Sequence, residues 1–432
     1  MEKSVNSGGA LNSNSRPGGA SYKSAATISW LLYDFASAWF SMIVLTAYFI
    51  LYFKQVIVGQ KGYSDFLWGI TDSAAMAVSV LLAPILGAIA DAKGQKKLFM
   101  AVFGCLSILC FFCLYFTGPG QISWAMLLVG SGYVGYALSM TFYNAFLPEI
   151  APSGSIEKLS GLAWALGYIA GFTALVSMIF FVPSVAGGKI ILLVGALAYA
   201  LFALPSFIFV KDSPKEATKG LRVVSEGFAR LGATFRQIRS LRDIFIFLLG
   251  YFFVADAITT VIVFFSSYTV YTLHFTVTQN VILLMLIQVC AAAGALVSGI
   301  VAHRIGTLKT MLINIVIWIA ALLGIILFKG IYSFYALSVL AGSVLGGTQA
   351  TARAHMAIEA PVGKRAEFFG FMTFSTRAAG ISGPLLYGVI SDWTGNARIA
   401  VLSLELLFIV GLSFLVVLLR RKAPSGVPPL NQ

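Results

Sequence analysis

Twelve apolar stretches, each close to or above the roughly 20 residues needed to cross the hydrocarbon core of a bilayer, leave this 432-residue chain few ways to fold. They run over residues 27–53, 66–90, 98–117, 122–147, 159–182, 189–210, 244–273, 278–302, 310–328, 332–358, 367–390 and 397–419. Inside a membrane every backbone amide must be satisfied within the protein, so a spanning segment is a helix or part of a closed barrel, and runs of this length select helices. Only 10% of the residues are charged, against about 25% in a soluble domain, and 59% are hydrophobic. No room remains for a separate aqueous catalytic domain, and the chain reads as an all-α integral membrane protein.

Charge placement tests the count. With both termini in the cytoplasm, 22 of the 29 Lys and Arg residues fall in cytoplasmic segments. Five (Lys54, Lys61, Lys189, Lys329 and Arg398) fall in outer loops, and two, Arg353 and Arg377, lie inside spans. A missed helix would scramble this asymmetry, so the positive-inside rule supports twelve spans with both termini inside; the short loops suggest a bacterial or archaeal cytoplasmic (inner) membrane, with a vacuolar or lysosomal membrane as the alternative. The formal net charge of +13 then reflects topology and anionic lipid at the inner leaflet, not nucleic acid.

The spans divide six and six. Residues 1–26, rich in Ser, Gly and Asn with no signal-peptide core, read as a disordered cytoplasmic tail, and 420–432 as a second tail. Between the halves 27–210 and 244–419, the connection 211–243 carries Leu221, Val224, Phe228, Leu231, Phe235, Ile238 and Leu241 at helical steps with five arginines elsewhere on the wheel. This is the pattern of a basic amphipathic helix lying on the inner leaflet. The cysteines, Cys105, Cys110, Cys113 and Cys290, read as ordinary buried thiols, since the one CxxC spacing has no second pair.

The halves also echo each other. After span 2 the chain reads Gly87-AIA-Asp91-AK-Gly94, and after span 8 Gly299-IVA-His303-RI-Gly306, an offset of 212 residues. Span 1 carries Asp34 and its counterpart, span 7, carries Asp256. Parallel six-helix repeats with a site between them near mid-membrane are a known transporter plan.

Charges inside spans cost roughly 2.5–3.5 kcal/mol each on insertion scales and are functional candidates by default. Asp34 and Asp256 are candidates to bind a proton or a substrate ammonium. Arg377, about ten residues into span 11, needs an anion: Asp34 or Asp256 in the empty protein, a substrate carboxylate during transport. Arg353 lies near the cytoplasmic end of span 10, within snorkelling distance, and reads as a gating or structural residue. Glu405 in span 12 reads as structural or partner-facing, and Asp72 and Glu149 as hydrated ends. Tyr33, Asn144 and Gln349 are candidate polar contacts of the cavity. Gly167-xxx-Gly171 and Gly342-xxx-Gly346 permit close helix crossing.

The Gly87–Gly94 loop resembles the Gly-x-x-x-Asp-(Arg/Lys)-x-Gly signature of the major facilitator superfamily, with Ala92 and Gln95 in slots that are usually basic and His303 replacing the acid in the second copy. In that signature Gly87, Asp91 and Gly94 form a conformational latch. A narrower likeness runs through Trp30-LL-Tyr33-Asp34-Phe35-Ala36-Ser37, Tyr143-Asn144-Ala145-Phe146-Leu147-Pro148-Glu149, the region of Asp256, Gly346-Gly347-Thr348-Gln349-Ala350, Phe368-Phe369-Gly370 and Gly383-Pro384. These residues resemble the vacuole effluxer-like family, named for an autophagy-related vacuolar amino-acid exporter. Ser37 and Ala38 stand where that family tends to have Asn and Ser, and Arg377 where it has Lys. The resemblance implies a major facilitator fold and export of a neutral amino acid or similar zwitterion.

The expectation is therefore a monomeric, proton-coupled secondary transporter without cofactor or metal, working by alternating access. Two rivals stand beside it: proton-coupled efflux of amphipathic organic cations, and a non-transporting receptor or scaffold on the same fold. An enzyme is not expected, because no HExxH, GxSxG or P-loop spacing occurs.

Overall fold

The computed structural model describes residues 24–59, 63–182, 184–212, 241–269, 273, 275–328, 330–394 and 397–422. Among them are twelve long helices and no strand. In chain order they are α1 (Ala25–Ile57), α2 (Ser64–Lys93), α3 (Lys96–Leu114), α4 (Ile122–Ala145), α5 (Ile156–Phe181) and α6 (Ile190–Phe209), then α7 (Arg242–Ser267), α8 (Val277–Ile305), α9 (Thr307–Leu327), α10 (Ile331–Glu359), α11 (Arg365–Thr394) and α12 (Ala397–Lys422). Eleven are long and apolar enough to cross a bilayer on their own. The other, α11, carries Arg377 among its Gly, Ser and Thr residues. The amphipathic pattern from Leu221 to Ile238 and most of both tails lie outside the described residues, although α1 begins at Ala25, inside the segment expected to be tail.

Local chemistry sets the helix ends. Ser24 caps α1 by accepting from the Thr27 amide at 3.1 Å, and Thr276 and Gln279 form a reciprocal capping box at the start of α8. Gly94 closes α2 at φ 63° and Gly306 closes α8 at φ 95°, backbone conformations that glycine adopts without a Cβ clash. The second glycine of each repeat is thus a helix stop. One irregularity interrupts α1: residues Ser41–Ala47 and Phe53–Ile57 are π-helical, with the amide of Tyr48 bonded to the Ile43 carbonyl at 3.1 Å and that of Val58 to Phe53 at 2.9 Å.

Within the first half α1 packs on α5 and α6, and α4 on α2 and α3; within the second α8 and α9 pack on α10, and α12 on α7 and α9. The halves join along two seams, α2 with α11 and α5 with α8. Thr27 near the start of α1 donates at 3.4 Å to Ile150 in the short helical turn Leu147–Ile150 that follows α4, Arg421 pairs with Asp243 at 3.1 Å, and Lys422 pairs with Glu359. The first and last helices therefore start and finish on one side of the bundle, called here the terminus side. Phe66, Phe180 and Leu327 stand in the open on the bundle's outer surface, as side chains facing lipid do.

Candidate functional site

Asp34 (α1) and Arg353 (α10) form an ion pair across the two halves. Arg353 Nη1 lies 3.2 Å from Asp34 Oδ2, and the two residues are 2% and 7% exposed, so the arginine turns inward and does not snorkel. Sequence position alone placed it one to two turns from the helix end; the partner that draws it inward is on another half. Its remaining donors are spoken for: Nε donates to Ser160 Oγ at 3.0 Å, Nη2 to the Ser160 carbonyl at 2.7 Å and Nη1 to Asn144 Oδ1 at 3.4 Å. The rings of Trp30, Tyr143 and Trp164 surround the guanidinium at 5.3–5.9 Å, a setting suited to a delocalised cation. Such a pair contributes little net stability against apolar residues of the same volume, whereas removing one partner strands a buried charge at a cost of about 3–5 kcal/mol.

The other expected charges are placed differently. Arg377 meets neither Asp34 nor Asp256. Its Nη1 donates to Tyr133 Oη at 2.5 Å, its guanidinium lies 5.0 Å from that ring, and the acid acting on it is Asp72 of α2. Asp256, fully buried, accepts from the Gly383 amide at 2.8 Å and from Ser382 Oγ, bracing α7 on α11. Tyr33 packs on Tyr143 at 5.4 Å. Gln349 accepts from Tyr168 Oη at 2.6 Å. Of the six residues expected around substrate or proton, only Asp34 lines the central cavity.

That cavity measures about 890 Å³ and lies between the halves. Asp34 and Trp164 line its end nearest the terminus side, and it extends past Met42, Thr46, Tyr168, Met178 and Phe334 to Val182 at the far end of α5. Sequence reasoning missed Tyr136, Met140, Trp164, Tyr168 and Gln288, all of which line it. The signal available was spacing: Tyr136 and Met140, Trp164 and Tyr168, and Gly167 and Gly171 are each four apart, on one helix face. The glycines keep that face open. A Cβ on Gly171 would meet Gln288 Nε2 at 2.4 Å, and one on Gly167 would lie 3.8 Å from the Asp34 carboxyl carbon.

The terminus side is closed by the repeated motif. On the α2–α11 seam a Cβ at Gly87 would meet the Ala366 carbonyl at 2.5 Å, and Asp91 accepts from the Glu367 amide at 2.9 Å, capping the α11 N-terminus. On the α5–α8 seam Gly299 lies against the Glu157 carbonyl, 2.9 Å from its would-be Cβ, and Gly161 against Ala295 at 2.5 Å; His303 Nδ1 stands 3.7 Å from Glu157 Oε2. Glu149, expected to be hydrated, instead pairs with Lys96 and lies 3.7 Å from Arg365 of the other half. Thr141 and Thr373 add a bond of 2.9 Å between α4 and α11. No cluster of three or more His, Cys, Asp or Glu residues that would hold a metal occurs among the described residues.

A sequence profile described as "Vacuole effluxer Atg22 like" matches residues 67–156 and 151–425. An uncharacterized MFS-type transporter of Bacillus subtilis, YxiO, is 31% identical over 90% of this chain and 93% of its own length. Autophagy-related protein 22 of Yarrowia lipolytica is 27% identical over 67% of this chain, a match spanning 55% of the longer fungal protein. Among solved structures the Escherichia coli fucose:proton symporter FucP superposes with a TM-score of 0.72 at 17% identity, covering 91% of this chain and 98% of that one. The human organic anion transporter MFSD10 gives 0.72 at 15%, covering 90% and 99%; at such identities the likeness establishes the fold alone. With the family profile covering most of the chain, and a bundle of two six-helix halves meeting around a central cavity, this chain is an MFS-type transporter, not an enzyme, and belongs to the Atg22-like vacuole effluxer family.

Proposed function

We propose that the chain moves a neutral amino acid or similar zwitterion across the membrane by alternating access, coupled to protons, and that the Asp34–Arg353 pair is its central switch. The observation that carries this reading is a buried ion pair joining the halves beside the closed end of a large cavity. A zwitterion brings the same two charges: its ammonium competes for Asp34 and its carboxylate for Arg353, so binding exchanges one ion pair for two. Trp164, which both lines the cavity and covers the guanidinium at 5.3 Å, is the side chain that must yield. The methionine and aromatic walls suit an apolar side chain. Charge placement supports a cytoplasmic terminus side, with the cavity open toward the opposite side of the membrane.

Counterflow in proteoliposomes tests this without knowledge of the driving ion: unlabelled amino acids inside, labelled ones outside. Protein-dependent entry of a neutral subset is expected. Asp34→Asn and Arg353→Gln each abolish it and destabilise the fold by about 3–5 kcal/mol, while the double variant regains most of the stability and none of the flux. A double variant that transports overturns the switch. One observation favours a second reading, efflux of amphipathic cations: Asp34 is the one charged residue among those lining the cavity. Drug-dependent proton release from purified protein, without amino-acid counterflow, selects it.

A further inference from the structure

Within the second half the lining of the central cavity includes Val261 of α7, Trp318 and Leu322 of α9, Ser338 of α10 and Leu404 of α12. Glu405 follows Leu404 on α12 and is not itself in that lining. It is 5% exposed, lies beside the Leu323 backbone of α9, and neither carboxyl oxygen has a hydrogen-bond partner among the described residues. Two more buried polar groups, on residues of that lining, share this condition: Trp318 Nε1 and Ser338 Oγ. The site is built: Trp318 stacks on Phe408 at 5.4 Å, one turn along α12 from Glu405, and so pins α9 to α12 at this level.

Among the described residues no charged side chain of the packed helices pairs with Glu405. On α7, Asp243 pairs with Arg421 and Asp256 with Ser382 and Gly383, while Tyr251 stacks on Phe247. On α11, Arg377 meets Tyr133, Arg365 lies beside Glu149, Glu367 meets Asp91 through its amide, and Tyr387 stacks on Phe264. Lys309 is in the first turn of α9, and Arg420, Arg421 and Lys422 are four turns away on α12. An ionised carboxylate here, with no cation and no side-chain donor against it among the described residues, is costly. The neutral acid leaves only an unmade hydrogen bond.

We propose that Glu405 is the proton site of the transport cycle. Its carboxyl holds a proton while the cavity faces the far side, and gives it up when the opposite conformation lets water reach it. This rests on the transporter reading above and not on the identity of the solute. Its ligand is the proton alone: the O–H bond breaks, the carboxylate remains, and water takes the proton.

Two measurements on the full-length protein decide it. With one proton per solute, a gradient of one pH unit, worth about 1.4 kcal/mol, drives about tenfold accumulation in proteoliposomes. Glu405→Gln is expected to exchange solute in counterflow yet accumulate none, and Glu405→Asp to restore accumulation. Infrared spectra of wild type are expected to contain a protonated-carboxyl stretch at neutral pH that Glu405→Gln removes. A glutamine variant that accumulates like wild type, a carboxyl band unchanged by that substitution, or wild-type flux indifferent to the pH gradient overturns the assignment. Wild type that moves no amino acid breaks the substrate reading instead, and the infrared comparison then decides the protonation of Glu405 by itself.

Discussion

The α2–α11 and α5–α8 seams carry the same motif 212 residues apart, and they differ in one respect. In both, a glycine near the terminus side brings backbone against backbone, and a left-handed glycine ends the helix a few residues later. The polar slot between them is not shared: Asp91 is 5% exposed and caps a helix of the opposite half, while His303 is a third exposed and faces Glu157 at 3.7 Å. Close approach is the duplicated requirement, since a Cβ meets unyielding backbone on either seam. The polar contact was free to diverge.

The sharpest way to break the comparison is to fill the glycines. Gly87→Leu and Gly161→Leu should each cost the closed terminus side about 1–3 kcal/mol, shifting the conformational equilibrium about 5–150-fold. Spin-label distances between the halves on that side report it. Unequal shifts would show that one seam governs closure. A smaller effect separates the polar slots: Asp91→Ala removes a capping acceptor worth about 0.5–2 kcal/mol, and the same distances should lengthen in part. The smallest is His303→Asp, which makes the second copy resemble the first but sets two acids face to face. Partly exposed pairs are worth about 0.2–1 kcal/mol, so a widening of the α5–α8 seam smaller than that from Asp91→Ala is expected. A closure as firm as wild type would show that the slot's charge is irrelevant there.

The twelve spans and the repeat were legible because hydropathy and exact spacing survive in one dimension. The site was legible in part. Asp34 could be singled out, since an acid amid apolar residues declares itself, and its involvement with an arginine followed from charge balance. Which arginine did not follow: Arg353 and Arg377 lie on different helices, and only the crossing of α10 with α1 and α5 turns the first toward Asp34. Asp256 met the same limit, its partners being backbone and hydroxyl on α11 and invisible to any count of charges. Trp164 and Tyr168 went unnoticed because the helices are apolar on nearly every side, so an aromatic ring facing the cavity reads like one facing lipid.

The π-helical turns of α1 have a consequence for anyone mapping this helix residue by residue. Each residue inserted into an otherwise regular α-helix rotates everything beyond it by about 100°. Asp34, Ser37, Ala38, Ser41 and Met42 line the cavity before or at the start of the first such turn, and Thr46 and Ala47 at its end and Ile50 and Leu51 beyond it line the cavity again. A scan along span 1 should therefore show two runs of helical periodicity out of phase with each other, and a single wheel drawn through both would assign half of the cavity wall to lipid.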